Sequence, residues 1–278
     1  MKENRGENMA NEAAIGFMDS GVGGLTVVKE AMRQLPNERI IYLGDTKRCP
    51  YGPRPNEQVL EFTWQMTSFL LNKKIKMLVI ACNTATAVAL EEIKKSLDIP
   101  VVGVIMPGSR AALKATRNNR IGVIGTEVTI NSKAYATVIQ KKSPHTKVIQ
   151  KACPKFVPIV ESHKASSSIA KMIVAEALNG LKKQQLDTLI LGCTHYPLLK
   201  PIIQHVMGKK VTLIDSGAET ISEVSMLLDY FDIAASAKKE AVREHEFYMT
   251  GSQNLFNNIT KEWLNLKEIN SRKINLKK

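Results

Sequence analysis

The sequence is poor in aromatic residues and in cysteine. Phe, Trp and Tyr make up 5% of its 278 residues, and four cysteines stand at positions 49, 82, 153 and 193. So few aromatics leave little material for the stacking platforms on which single-stranded nucleic acids lie. The cysteines form no CxxC pair and no closely spaced framework, which argues against a disulfide scaffold and for free thiols in a reducing compartment. A structural zinc needs about four ligands, and only Cys193 and His195 are near neighbours in sequence, so no metal is expected. No apolar run has the length to span a bilayer. The first residues, MKENRGENMANEA, lack the apolar stretch of a signal peptide; they read as a short frayed extension, and the cytoplasm is the expected location. The dinucleotide fingerprint GxGxxG is missing too, because DSGVGG would need glycine where Thr26 stands, and there is no phosphate-binding P-loop.

Charge is what the chain has in excess: 39 basic against 26 acidic residues, a net +13. Such a balance admits a nucleic-acid or membrane partner, or simply a basic surface. Lys and Arg are scattered among Asp and Glu, which favours the surface. The one notable run, LKEINSRKINLKK from Leu266 to Lys278, reads as a solvated or disordered end.

Strand-like and helix-like segments alternate along the chain. AAIGFM (from Ala13), RIIYLG (from Arg39), IKMLVIA (from Ile75), VVGVI (from Val101), RIGVIG (from Arg120), TKVIQKA (from Thr146), TLILG (from Thr188) and VTLID (from Val211) are apolar runs without alternation. That is what strands covered on both faces require. Between them lie segments with helical spacing, such as LTVVKEAMRQL stopped by Pro36, EQVLEFTWQMTSFLL with Asn56 as its expected cap, and a helix from about Thr84 to Leu97. The pattern predicts an α/β fold with mainly parallel strands.

The two halves also echo each other. IGFMDS from Ile15 matches IGVIGT from Ile121, the run ending in Cys82 matches the run ending in Cys193, and VVGVIMPG from Val101 matches VTLIDSG from Val211. The same landmarks in the same order at nearly equal offsets suggest an internal duplication and two similar lobes. Residues from Glu246 to Leu266 have no counterpart and are expected to pack back on the first lobe.

In open parallel sheets, ligands bind beyond the carboxyl ends of the strands. Those ends carry Asp19 and Ser20, Cys82 to Thr84, Thr126, and Cys193 to His195. If the lobes face each other, two thiols look into one cleft from opposite sides. A helix N-terminus favours thiolate, so a lowered thiol pKa is expected at both junctions. One charged and one protonated thiol suit removal of a proton on one face of a carbon and its return on the other, as in racemisation. The alternative reading is two small core cysteines at helix starts. The glycines of DSGVGG are expected to let backbone N–H groups approach a carboxylate.

IGFMDSGVGGLTVVKE, DTKRCPYGPRP, MLVIACNTATAVALE, ACPKFVPIVE, LILGCTHYPLL and IDSGAETISEVSMLLDYF together resemble the motifs of the glutamate racemases, in order from Ile15 to Leu264. Related aspartate racemases typically carry Glu where His195 stands. The resemblance implies a cofactor-independent isomerase that interconverts L- and D-glutamate and supplies D-glutamate for peptidoglycan. It implies an active site between two lobes, residues 1–105 with 215–278 and residues 106–214. By motif position, Cys82 and Cys193 are the acid/base pair, Asp19 assists Cys82, His195 assists Cys193, and Glu161 supports His195. Substrate contacts fall on Asp19, Ser20, Pro50, Tyr51, Gly52, Cys82, Asn83, Thr84, Thr126, Cys193, Thr194 and His195. Cys49 and Cys153 are expected to serve packing, and His145, His163, His205 and His245 match no motif position. Lys47 and Met106 depart from the family pattern outside the catalytic set. A homodimer is implied, and the basic charge leaves open contact with DNA gyrase or nucleic acid. Racemisation of aspartate or another amino acid, or a basic interaction protein on the same scaffold, are the alternatives.

Overall fold

The computed structural model describes residues 12–162, 164–236 and 244–276. The N-terminal extension and His163 therefore lie outside the described residues, apart from the last two of the extension. The Val, Ile and Leu runs form two parallel sheets. In the first, β1 (Ile15–Asp19) lies between β2 (Ile40–Gly44) and β3 (Met77–Ile80), with β4 (Val101–Gly103) beyond β3. In the second, β5 (Arg120–Gly125) lies between β6 (Lys147–Ala152) and β7 (Thr188–Gly192), with β8 (Thr212–Asp215) beyond β7. The quartets β2-β1-β3-β4 and β6-β5-β7-β8 share one order, so the repeated landmarks mark a repeated sheet. β1, β2, β3 and β7 are buried along their whole length, as strands with helices on both faces must be. Each apolar side chain so buried contributes about 1.5–3 kcal/mol relative to exposure.

The helices are α1 (Leu25–Gln34), α2 (Asn56–Leu71), α3 (Asn83–Ser96), α4 (Ile105–Ala115), α5 (Glu127–Asn131), α6 (Ala134–Lys142), α7 (Phe156–Glu161), α8 (Ser168–Lys182), α9 (Lys200–Met207), α10 (Ser216–Tyr230) and α11 (Gln253–Leu264). After β4 the chain leaves the first sheet, and Ile105 and Ala112 of α4 pack with Ile121, Val123 and Ile190 of the second. After β8 it returns, and Ile221, Val224 and Leu228 of α10 join the core around Phe17 and Val28. Trp263 of α11 packs against both cores. Among the described residues no helix is long and apolar enough to cross a membrane.

Two local expectations are corrected. Asn56 does not cap α2: Pro55, extended at φ −56° and ψ 146°, holds that position, and Asn56 is the first helical residue. The tail read as solvated or disordered supplies a strand. β9 (Glu246–Met249) extends the first sheet beside β2, and β10 (Asn270–Lys273) pairs with β9 in parallel, Asn270 opposite Glu246 and Lys273 opposite Met249. Without β10, β9 would present a bare edge. Ile274 and Leu276 just beyond it pack against the core. The strand itself, NSRK, is polar because it faces solvent at the sheet's edge, which hides it from a periodicity reading. Phe256, Ile259 and Leu264 of α11 lie in the first core, where the chain's end was expected to pack.

Candidate active site

The carboxyl ends of strands from both sheets converge on one small cavity of about 20 Å³. The first sheet contributes Ser20 after β1, Cys49 to Gly52 from the loop after β2, and Cys82 to Thr84 at the start of α3. The second contributes Thr126, which caps α5, Val157 of α7, and Cys193 to His195 after β7. A single water requires about 10–15 Å³ of such space. The cavity as it stands is narrow, and its walls come from both sheets. Asp19 and Glu161 do not line the cavity but stand behind its walls.

Cys82 is the N-cap of α3, and its Sγ accepts the N–H of Ala85 at 3.5 Å. The thiol also reaches Ser20 Oγ at 3.5 Å. Burial, with the charge of Asp19, nevertheless pushes this thiol up to about 12. The expected lowering at a helix start is overturned here, because desolvation of the thiolate in a closed site outweighs the partial charge of the helix end. Burial here favours the protonated form of Cys82.

Cys193 Sγ lies 3.8 Å from His195 Nδ1, and His195 Nε2 lies 3.1 Å from Glu161 Oε1. Burial alone would lower the imidazole pKa, but hydrogen bonds to Cys193 and Glu161 reverse this and raise it to about 10. Burial opposes ionisation of Glu161 as well, and its bonds to His195 and Cys49 outweigh that and hold it below the usual carboxylate range. Both shifts favour the charged forms, imidazolium on His195 and carboxylate on Glu161. The pair is dry at the imidazole and wetter at the carboxylate, with side chains 3% and 35% exposed.

Asp19 joins the halves. Its Oδ1 accepts the Thr194 hydroxyl at 3.2 Å, and its Oδ2 accepts the Gly21 N–H at 2.9 Å. Burial raises its pKa, against the opposing effects of His195 and these bonds. The glycine loop was expected to bring N–H groups to a carboxylate, and the one reached here is Asp19 itself. Gly23 has a different use: a Cβ there would lie 2.3 Å from Thr194 Oγ1 and 2.5 Å from His195 Nδ1. Its missing side chain is what lets Thr194 and His195 lie against this loop. Thr84 and Thr126 touch across the same gap, hydroxyl to hydroxyl, at 2.9 Å. The Tyr51 hydroxyl is engaged elsewhere, donating to Asp45 Oδ2 at 2.5 Å.

Cys153 is buried in the second core, as expected. Cys49 is more than packing: it is half-buried, lines the cavity, and its Sγ lies 3.4 Å from the Glu161 oxygen that also bonds His195. Thr129 and Tyr135 were also missed. Thr129 Oγ1 contacts Thr84 at 3.3 Å and Thr126 at 3.0 Å. Its place three residues after a capping Thr was a usable signal. Tyr135, an ordinary tyrosine in a short helix, gave none. Among the described residues no three His, Cys, Asp or Glu side chains are grouped to hold a metal ion.

Comparison with known proteins gives concordant results. Residues 15–224 match the Asp/Glu/Hydantoin racemase family. The chain is 65% identical over 268 residues to a glutamate racemase of Enterococcus faecalis, covering 96% of this chain and 98% of that protein. It is similar to the crystal structure of glutamate racemase from Bacillus anthracis, with a TM-score of 0.92, 44% identity, and coverage of 96% and 98%. It is also similar to the enzyme of Francisella tularensis in complex with D-glutamate, with a TM-score of 0.89, 35% identity and the same coverage.

Proposed function

The chain belongs to the Asp/Glu/Hydantoin racemase family, and on that premise we propose that it interconverts L- and D-glutamate by moving protons between two thiols and Cα. The observation that carries this reading is the convergence of Cys82 and Cys193, each at the end of a strand from a different sheet, on one cavity. One sulfur, as thiolate, takes the Cα proton. The electron pair left behind is shared with the adjacent carboxylate, and the other thiol gives its proton to the opposite face. Afterwards the two sulfurs have exchanged roles, so the reverse reaction uses the same parts.

The surroundings support that division of labour. His195, held as a cation by Glu161, stands beside Cys193 and can exchange a proton with it. Cys82 stands near a buried carboxylate, and burial with that charge favours its protonated form. Glutamate brings an ammonium into this cavity, and that charge counters the desolvation and the Asp19 field that hold the Cys82 proton. Hydroxyl and amide donors from Ser20, Asn83, Thr84 and Thr126 suit the two substrate carboxylates. Both acid and base come from the chain, so the reading takes no cofactor. It also places the enzyme in the cytoplasm, supplying D-glutamate for peptidoglycan. A second copy of the chain would cover Met226, Tyr230 and Phe231, which are exposed together at the end of α10; sedimentation of wild type and Tyr230→Glu tests that.

Racemisation of L-glutamate in deuterated water, without added cofactor, tests the reaction. D-glutamate with deuterium at Cα, formed by the wild type and lost in both Cys82→Ala and Cys193→Ala, is expected. Full activity in either variant would overturn the two-thiol reading, and no D-glutamate from folded wild type would overturn the substrate.

A further inference from the structure

Tyr135 takes no part in the chemistry above, yet it reaches the site from the far side. It is wholly buried in α6, and its hydroxyl donates to Asn83 Oδ1 at 2.6 Å. Asn83 opens α3 behind the first sheet and lines the cavity, whereas the Tyr135 ring is packed with the second sheet beside Ile121, Val123 and Ile190. The ring is held closely from two directions. A Cβ on Gly192, the residue before Cys193, would lie 3.1 Å from Tyr135 Cε2, and a Cβ on Gly108 would lie 3.6 Å from Cε1.

A carboxamide has an accepting end and a donating end, and a neighbour that takes one decides which the cavity meets. The Tyr135 hydroxyl takes the carbonyl oxygen of Asn83. The NH2 group is then the end offered to a ligand, and NH2 pairs with a carboxylate but not with an ammonium. We propose that Tyr135 is a positioning residue, whose hydroxyl fixes the Asn83 amide with its NH2 turned into the cavity as a donor to a substrate carboxylate. The inference rests on the reading of the cavity as a glutamate site. The hydroxyl and the amide come from helices packed on different sheets. Without the hydroxyl, the amide can turn its carbonyl to the carboxylate, and binding weakens.

Tyr135→Phe, Asn83→Ala and the double variant test this with both enantiomers of glutamate. Tyr135→Phe is expected to raise KM about tenfold, the effect of one buried hydrogen bond, with a smaller change in kcat. In the Asn83→Ala background the same change should add nothing, because Tyr135 acts through that amide. An unchanged KM, or an equal loss with Asn83 already removed, overturns the inference and leaves Tyr135 a packing residue. Failure of wild type to turn over glutamate defeats the substrate reading separately. The Asn83 side-chain amide resonances of 15N-labelled protein then decide: a shift in Tyr135→Phe upholds the positioning role, and unmoved resonances overturn it.

Discussion

His195 Nε2 lies 3.1 Å from Glu161 Oε1, so the imidazole beside the Cys193 thiol is paired with a carboxylate that does not line the cavity. Glu161→Gln removes the charge and one of the hydrogen bonds that raise the imidazole pKa. His195 in this variant should lose its proton at lower pH, and the alkaline limb of the pH–rate profile should move down with it. The loss in kcat should be about tenfold, below the ~10²–10⁴ expected from losing an acid/base group itself. An alkaline limb in the same place for both proteins would break the link between Glu161 and the reaction.

The same pair makes stability depend on pH. The His195 pKa is raised from 6.5 to about 10 by folding, so its contribution is fully present below the unfolded value and is lost as pH rises through the folded one. The difference in Tm between wild type and His195→Gln should therefore shrink from neutral pH to above about 10, by some 2–4 °C for each kcal/mol lost. Thermal unfolding of both proteins across that range checks it. A difference that grows with pH would mean that His195 is neutral in the folded state.

Gly23 is where the contact between the halves is most sensitive to volume. The Cβ of Gly23→Ala would fall within 2.6 Å of the Thr194 hydroxyl and two His195 ring atoms, so the halves must part or the ring must turn. Overpacking of this kind costs about 1–3 kcal/mol. Displacing His195 by about 1 Å can cost ~10²-fold in rate. Urea unfolding and kcat measured together test both figures. Wild-type kcat in this variant would show that the close contact of Gly23 with Thr194 and His195 does not position the ring for reaction.

Truncation before Asn270 should cost about 1–3 kcal/mol, because it removes Ile274 and Leu276, which pack against the core. Amide exchange in β9 should speed up as its edge opens. Racemisation should persist in the folded fraction, since the removed strand is at the far edge of the sheet from β3. Unchanged stability and exchange would return the tail to the solvated end that its polar residues suggested.

The sequence by itself determined the parallel sheets and most of the cavity wall. Uninterrupted Val, Ile and Leu runs have one use in an alternating chain, as strands buried on both faces. Cys82, Thr126 and Cys193 directly follow such runs, so local pattern was enough to put them at strand ends. What lies between segments was decided only in three dimensions. Whether Cys82 ionises depends on how dry the closed cavity is, and burial there outweighed the helix end that local reasoning favoured. Cys49 shares an oxygen with His195 because two loops meet at Glu161. Tyr135 reaches Asn83 across the two sheets, a contact with no trace in spacing. β10 is a strand only because β9 offers an edge. Periodicity records the faces an element buries, and it is silent on the partner that folding brings to its end.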